Sequence, residues 1–237
     1  MPGEASGTGV IRQRRLRADA RRNRERLLAA ARDAFVALGA DAPLDEVARR
    51  AGVGIATLYR HYPDRAALLR EVAIDLVGRS ADEAGAALAE EPDAFAALAR
   101  YMHRALDLRI AAVMPEVVGR VPMNDEALDA ARRASVERIE RIIATARADG
   151  SLRPDVASGD IGLLLVRLTR PLPGAFPAEV DNRLAHRHLD VLLDGLRSTA
   201  NHGAPLPDPA MTFDDLADLA GHRPSPAREV GHSRALD

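Results

Sequence analysis

Residues 55–61, Ile-Ala-Thr-Leu-Tyr-Arg-His, hold the side chains best suited to reading the surface of another molecule. Thr57 and Arg60 present polar tips for the edges of DNA bases, and the fork of Arg60 matches guanine O6 and N7. Ile55 and Ala56 can meet thymine methyl groups. Such side chains read sequence only if one short rigid element carries them together into the major groove. The neighbouring residues supply that element. Val47, Ala48 and Ala51 recur at helical spacing, Gly52 suits the left-handed position that ends a helix, and Gly54 can cap a second helix starting at Ile55. The spacing predicts helix, turn, helix over 44–62, with Leu58 pointing into a small core beside Val47 and Phe35. Ile55, Ala56, Thr57, Arg60 and His61 then lie at the exposed start and outer face. A glycine-containing turn between two helices also makes an ordinary helical corner, so this pattern alone leaves both readings open.

The flanks extend the pattern. Leu28, Ala31, Phe35 and Leu38 share one face of a helix expected to begin after Asn23 and end at Gly39, and Asp64 caps another that opens with Arg65 and carries Leu68 and Leu69. With these flanks the chain resembles the tetracycline-repressor (TetR) family. The residues that carry the resemblance run in order: Arg24 to Ala31, Phe35, Val47-Ala48, Ala51-Gly52-Val53, Thr57-Leu58-Tyr59, His61-Tyr62, Asp64-Arg65 and Leu68-Leu69. They cover about a fifth of the chain.

The resemblance implies an all-α fold. An N-terminal three-helix helix-turn-helix DNA-binding head would join a larger helical ligand-binding and dimerisation body. The function implied is that of a sequence-specific transcriptional regulator, a repressor released by a small-molecule effector, binding a palindromic double-stranded operator as a homodimer. Tyr59 and His61 would then contact phosphates, and Tyr62 is read as core. Two departures from the family pattern stand out. Pro43 occupies the place where a Thr or Ser usually caps the helix and bonds a phosphate, and Gly54 replaces a frequent Ser. Phosphate binding is therefore expected to lean on Arg24, Tyr59, His61, Arg65 and backbone N–H groups at helix starts, including the turn at Gly54.

Composition agrees with a head of this kind. The 237 residues are 47% hydrophobic and carry a net charge of −2. Residues 1–70 hold 14 Arg against 8 Asp and Glu, a balance of +6, which leaves −8 for the remainder. A basic end on an acidic body is the footprint expected when one end meets phosphate. Every one of the 33 basic residues is Arg, and base composition of the coding sequence accounts for this more readily than selection for bidentate contacts. With no Cys, thiolate nucleophiles, thiolate metal sites and disulfides are excluded. No signal peptide is recognisable, and apolar runs such as Ile161 to Val166 are far short of the roughly 18–20 residues that span a bilayer. A cytoplasmic protein with no membrane partner is expected.

Residues 1–20 are Gly-rich, then Arg-rich, and read as a flexible arm; Arg12, Arg14, Arg15, Arg17, Arg21 and Arg22 could track the DNA backbone or minor groove beside the main site, and a solvated tail with no fixed contact is the alternative. The head is placed at 21–68 and the body at 69–197, with helices expected at about 65–90, 93–111, 125–148, 157–170 and 178–197, and a bent or short element over Met114 to Asn124. In that body Met102, His103, Leu106, Met114, Val117, Val118, Val121, Met123 and Ile143 could line an effector cavity, although core packing explains any one of them. The last two helices have wide apolar faces. Leu164, Leu168, Leu184, His188, Leu189, Leu192 and Leu196 are assigned to a dimer interface. His186 and His188 stand about 200° apart on a helix and cannot share a metal ion within one chain. Residues 198–237 read as a tail, with one short helix after Thr212, where Asp215 completes a capping box before Leu216 and Leu219.

The residues give less support to other functions. An enzyme lacks support, since no G-x-S-x-G elbow, P-loop or H-E-x-x-H helix occurs, and Gly52-Val-Gly54 follows a helix rather than a strand. No cofactor is implied. The alternative to an operator binder is a basic-headed protein-interaction module, or a small-molecule-binding protein without operator specificity; salt-sensitive binding with no base preference would mark it.

Overall fold

The structure is a computed structural model. It describes residues 5–39, 41–117, 120, 125–170, 172, 177–198 and 205–216, with the backbone alone for 5–20, 111, 112, 115 and 116. Among these residues are nine helices and no strand, only an isolated antiparallel bridge between Leu152 and Arg197. The all-α reading holds.

Three helices build the head: α1 (Ala5–Leu38), α2 (Leu44–Ala51) and α3 (Ile55–His61). Helix α1 starts at Ala5, not after Asn23. The stretch before Asn23 lacks proline beyond residue 2 and from Arg12 on is rich in Arg, a good helix former, so it extends an existing helix without a nucleation step of its own. Local chemistry sets the other ends as expected. Gly39 (φ 79°) and Gly52 (φ 67°) take the left-handed conformation, and the Gly52 N–H reaches the Arg49 carbonyl at 3.1 Å.

Helix α4 (Arg65–Glu90) is the spine of the molecule. Asp64 caps it, accepting from the Ala67 N–H at 2.8 Å. Leu68, Leu69, Val72, Ala73 and Leu76 belong to the same core as Leu27, Phe35, Val47 and Leu58 of the head. Ala84 and Ala87, further along, belong to a second core in the body. A boundary at 68/69 therefore falls inside a continuous helix whose first turns are part of the head's own core.

The body comprises α5 (Ala94–Leu108), α6 (Ile110–Val117), α7 (Glu126–Ala148), α8 (Ser158–Leu168) and α9 (Ala178–Leu196). Asp93 caps α5 and Asp125 caps α7, each accepting a backbone N–H three residues on. Helix α5 stops at Leu108, short of the expected 111, because Arg109 turns to φ 50°, the one non-glycine positive φ among the described residues. Small residues line the spine where α7 and α5 cross it, and a buried polar chain ties the three: Ser135 Oγ donates to Ser80 Oγ at 3.3 Å, and Ser80 meets the Tyr101 hydroxyl at 3.0 Å. Burial pushes the Tyr101 phenol up to about 12, so it stays protonated and able to donate.

The expected tail is partly a docked strap. The backbone N–H of Gly159 donates to the Met211 carbonyl at 2.7 Å, Leu206 N–H donates to Asp155 at 2.9 Å, and Phe213 N–H donates to Ser158 Oγ at 3.2 Å. Gly159 and Gly162 make this approach possible, since a Cβ there would lie 2.6 Å from the Met211 and Thr212 carbonyls and 2.8 Å from the Phe213 ring. The capping box is present: Thr212 N–H donates to Asp215 and Asp215 N–H to Thr212 Oγ1, opening a helical turn over 213–216. Leu219 lies outside the described residues.

Candidate nucleic-acid interface

Helix α3 has one buried residue, Leu58, seated in the head core with Val47 and Phe35 as the spacing predicts. Everything else on it faces outward or sits at the margin. Ile55 is 41% and Tyr59 50% exposed, so both are open to a ligand. Ala56 and Arg60 are exposed, and Thr57 and His61 are half-buried. Arg60 has no hydrogen-bond or ionic partner among the described residues. An unpaired guanidinium on the outer face of a short rigid helix is available to a ligand without first breaking a bond within the protein.

Among the described side chains of the head, the other arginines are engaged. Arg49 and Arg50 of α2 both bond Glu46, at 2.7 Å each, and the Arg50 and Arg49 guanidinia hold its carboxyl below the usual carboxylate range. Arg24 pairs with Glu71 on α4, which anchors α1 to the spine and leaves the guanidinium about half-exposed. Arg65 Nη1 donates to the Ala42 carbonyl at 2.6 Å. That bond ties the start of α4 to the entrance of α2, where Pro43 supplies no side-chain cap. The structural load on Arg24 and Arg65 was not visible in the sequence, because their partners stand 47 and 23 residues away.

Between the starts of α2 and α4 and the face of α3 lies an open cleft of about 410 Å³, lined by Leu44, Asp45, Ile55, Tyr59, Pro63, Asp64 and Arg65. The Tyr59 hydroxyl and the Arg65 guanidinium are its donors. Tyr62 is instead core, 4% exposed, and its buried hydroxyl is pushed up chiefly by burial, an effect that the nearby Arg24 guanidinium partly offsets.

In the body the residues expected to line a cavity are distributed between two cores. Met102, Leu106 and Ile143 are fully packed in the second core, Val117 is buried in the first and Met114 packs against it. Val118, Val121 and Met123 lie outside the described residues. A cleft of about 480 Å³ opens elsewhere, at the foot of the head, between Arg32, Asp33, Val36 and Ala37 of α1, Asp107 to Arg109, Leu172, and Ala178 and Asp181 of α9. None of the six described residues of that set lines it.

The residues assigned to a dimer interface also divide. Leu189 and Leu196 are buried in the protomer's own core with Leu193, an inward stripe at positions i, i+4 and i+7, and so are not free for a partner. Leu164, Leu168, Leu184 and Leu192 are half-buried and His188 is exposed. Val191, an apolar residue of α9 outside the set assigned to the interface, is 65% exposed on the outer face of that helix. Periodicity shows that such a helix has two apolar stripes without showing which one faces in. Among the described residues no helix is long and apolar enough to cross a membrane.

A recognition-type helix held by one leucine, projecting from a three-helix head on an all-helical body, defines the helix-turn-helix class of DNA-binding regulators. The profile of the bacterial regulatory proteins of the tetR family matches residues 27–72, and that of the SbtR-like transcriptional regulator C-terminal domain matches 93–198. The TetR regulator SCO0520 from Streptomyces coelicolor is 33% identical, with 75% of this chain and 99% of that one covered and a TM-score of 0.55. A TetR regulatory protein from Mycobacterium vanbaalenii is 35% identical, covering 77% of this chain and 99% of that one with a TM-score of 0.56. The TetR-like regulator LfrR from Mycobacterium smegmatis, solved in complex with proflavine, shares the fold at 24% identity, with coverage of 71% and 95% and a TM-score of 0.54. No curated protein sequence matches. The chain belongs to the TetR family and is a DNA-binding transcriptional regulator.

Proposed function

We propose that the protein is a repressor that binds a palindromic operator as a homodimer and is released by a small molecule bound in its body. The unpaired Arg60, standing beside the exposed Ile55 and Ala56, carries this reading. Arg60 and Thr57 read base edges, Ile55 and Ala56 meet thymine methyls, and Tyr59, His61, Arg65, Arg24 and the backbone at Gly54 hold phosphates. An isologous pairing through the outer faces of α8 and α9, using Leu164, Leu168, Leu184, His188, Val191 and Leu192, would set two copies of α3 about 34 Å apart, one turn of DNA.

The cleft at the foot of the head suits an effector better than the packed residues around Met102. A molecule there touches α1, the α5–α6 junction and α9 at once. It regulates only by binding one arrangement of those helices more tightly than another. Selection of bound duplexes from a random DNA pool in moderate salt tests the operator reading. A palindromic consensus is the expected result. Recovery of no consensus, with binding abolished by added salt, overturns it.

A further inference from the structure

His103 on α5 and His186 on α9 meet edge to edge. Their Nδ1 atoms are 2.8 Å apart, and the ring planes differ by 9° with centroids 5.1 Å apart. That separation accommodates the N···N contact plus the two ring radii, so the imidazoles lie side by side in nearly one plane, the geometry of an in-line N–H···N hydrogen bond. On the outer edges each Nε2 stands 3.0 Å from a carboxylate: His103 from Asp190 of α9, and His186 from Asp107 of α5. The four side chains thus cross-link the two helices three times.

The proton count of this arrangement is fixed by its acceptors. Each carboxylate takes one N–H, and the inner contact needs another, so the two rings must carry three protons, one more than two neutral imidazoles possess. We propose that the quartet is a proton-linked latch between α5 and α9, closed when the two imidazoles share one extra proton and opened by loss of that proton or gain of another. A fourth proton sets N–H against N–H at the inner contact and places two cations side by side. With two protons, either the inner nitrogens face each other with lone pairs or one outer nitrogen faces its carboxylate without a proton. Either change removes at least one of the three bonds.

The surroundings are charged on both sides. Arg104 lies 3.7 Å from Asp107 and 3.9 Å from Glu83 of α4. Arg187 follows His186 on α9, and the cleft beside Asp107 brings in Arg109, Asp181 and, from α1, Arg32 and Asp33. The side chains of His103 and His186 are 30% and 25% exposed, open enough to exchange protons with solvent. Because α9 carries the outer face assigned above to the dimer, the regulatory consequence rests on that reading: the latch sets the seat of α9 and, with it, dimer affinity.

The test is imidazole ¹⁵N NMR of the full chain, from about pH 5 to about pH 9, the range in which histidines titrate. A low-field proton shared by the two Nδ1 atoms should appear within a window and vanish at both ends. Asp190→Asn removes a charge that favours the third proton, so the alkaline limit of the window should move to lower pH. In His186→Gln, which can still donate and accept but does not titrate, the bell-shaped pH dependence of the thermal midpoint should flatten. Two neutral rings with no shared proton across the whole range, or an unchanged pH profile in His186→Gln, overturns the latch. The wild-type spectrum decides the matter even if the variant fails to fold. Sedimentation at the same pH values separates the two readings, since a shared proton in a chain that stays monomeric upholds the latch and refutes only the dimer.

Discussion

Leu58→Ala should abolish operator binding while leaving the body folded. Leu58 is fully buried and is the sole buried residue of the seven in α3. Truncation removes about three carbon groups, a transfer loss of about 2–3 kcal/mol, and the unfilled space against Val47 and Phe35 raises the expected loss to about 2–5 kcal/mol. A helix this short is not stable by itself in water, so it depends on that one anchor to keep its place. The body's second core receives nothing from α3. The expected result is loss of sequence-specific binding in a fluorescence anisotropy titration, by more than the roughly tenfold that corresponds to 1.4 kcal/mol. Amide exchange should rise over 53–62 and remain slow in α7. Operator affinity equal to wild type, or a uniform collapse of protection that includes α7, would refute the argument that α3 is seated independently by Leu58.

Four further outcomes are expected. Arg60→Ala should lose about 1–3 kcal/mol of operator binding and relax base preference, whereas Arg65→Ala should weaken all DNA alike and flatten the salt slope. Because Arg65 also holds the Ala42 carbonyl, its loss should in addition destabilise the head by about 1–3 kcal/mol, seen in thermal unfolding; an equal Arg60→Ala deficit for every sequence would remove Arg60 from base readout. Val191→Glu places a charge on a side chain that is 65% exposed in the protomer, so it should leave the monomer's stability within about 0.5 kcal/mol and yet yield monomers on sedimentation, a cleaner test than Leu192→Glu at a half-buried position. A dimeric Val191→Glu protein would place the interface elsewhere. Gly159→Ala should push the strap 205–216 off α8, destabilising by about 1–3 kcal/mol and opening a protease site there; an uncut variant would show that the strap can shift and stay docked. The acid limb of stability should depend on Asp125. Hydrogen bonds from Arg70, then from the Leu128 N–H, hold its carboxyl below 3.8, so its contribution is complete above that value and disappears as pH falls through the lowered one. Asp125→Asn should therefore show a shallower loss of thermal midpoint in acid, and an identical limb would remove this pair from acid unfolding.

Much of the architecture was legible in the sequence because its signals are local. Gly39 and Gly52 turn to positive φ where a helix must end, Asp64 and Asp125 cap the helices they precede, and Thr212 with Asp215 closes a capping box, all through bonds spanning four residues or fewer. The order of Phe35, Val47 and Leu58 likewise specified the head core, since each apolar face declares itself by periodicity. The helical continuation of α1 back to Ala5 was missed, because that stretch has no apolar face of its own and is helical by extension of its neighbour.

What the tertiary structure decided are pairings between helices remote in sequence. Arg24, a phosphate contact by its place in the sequence, is also engaged by Glu71; Leu189 and Leu196, interface residues by periodicity, are interior, while Val191 is outside. His103 and His186 stand 83 residues apart, and neither carries any local sign of the other. Capping, turn formation and amphipathic spacing act over one or two helical turns and are written residue by residue. Which faces meet, which charge finds a partner and which glycine admits a strap depend on how helices cross, a property of the packed core as a whole.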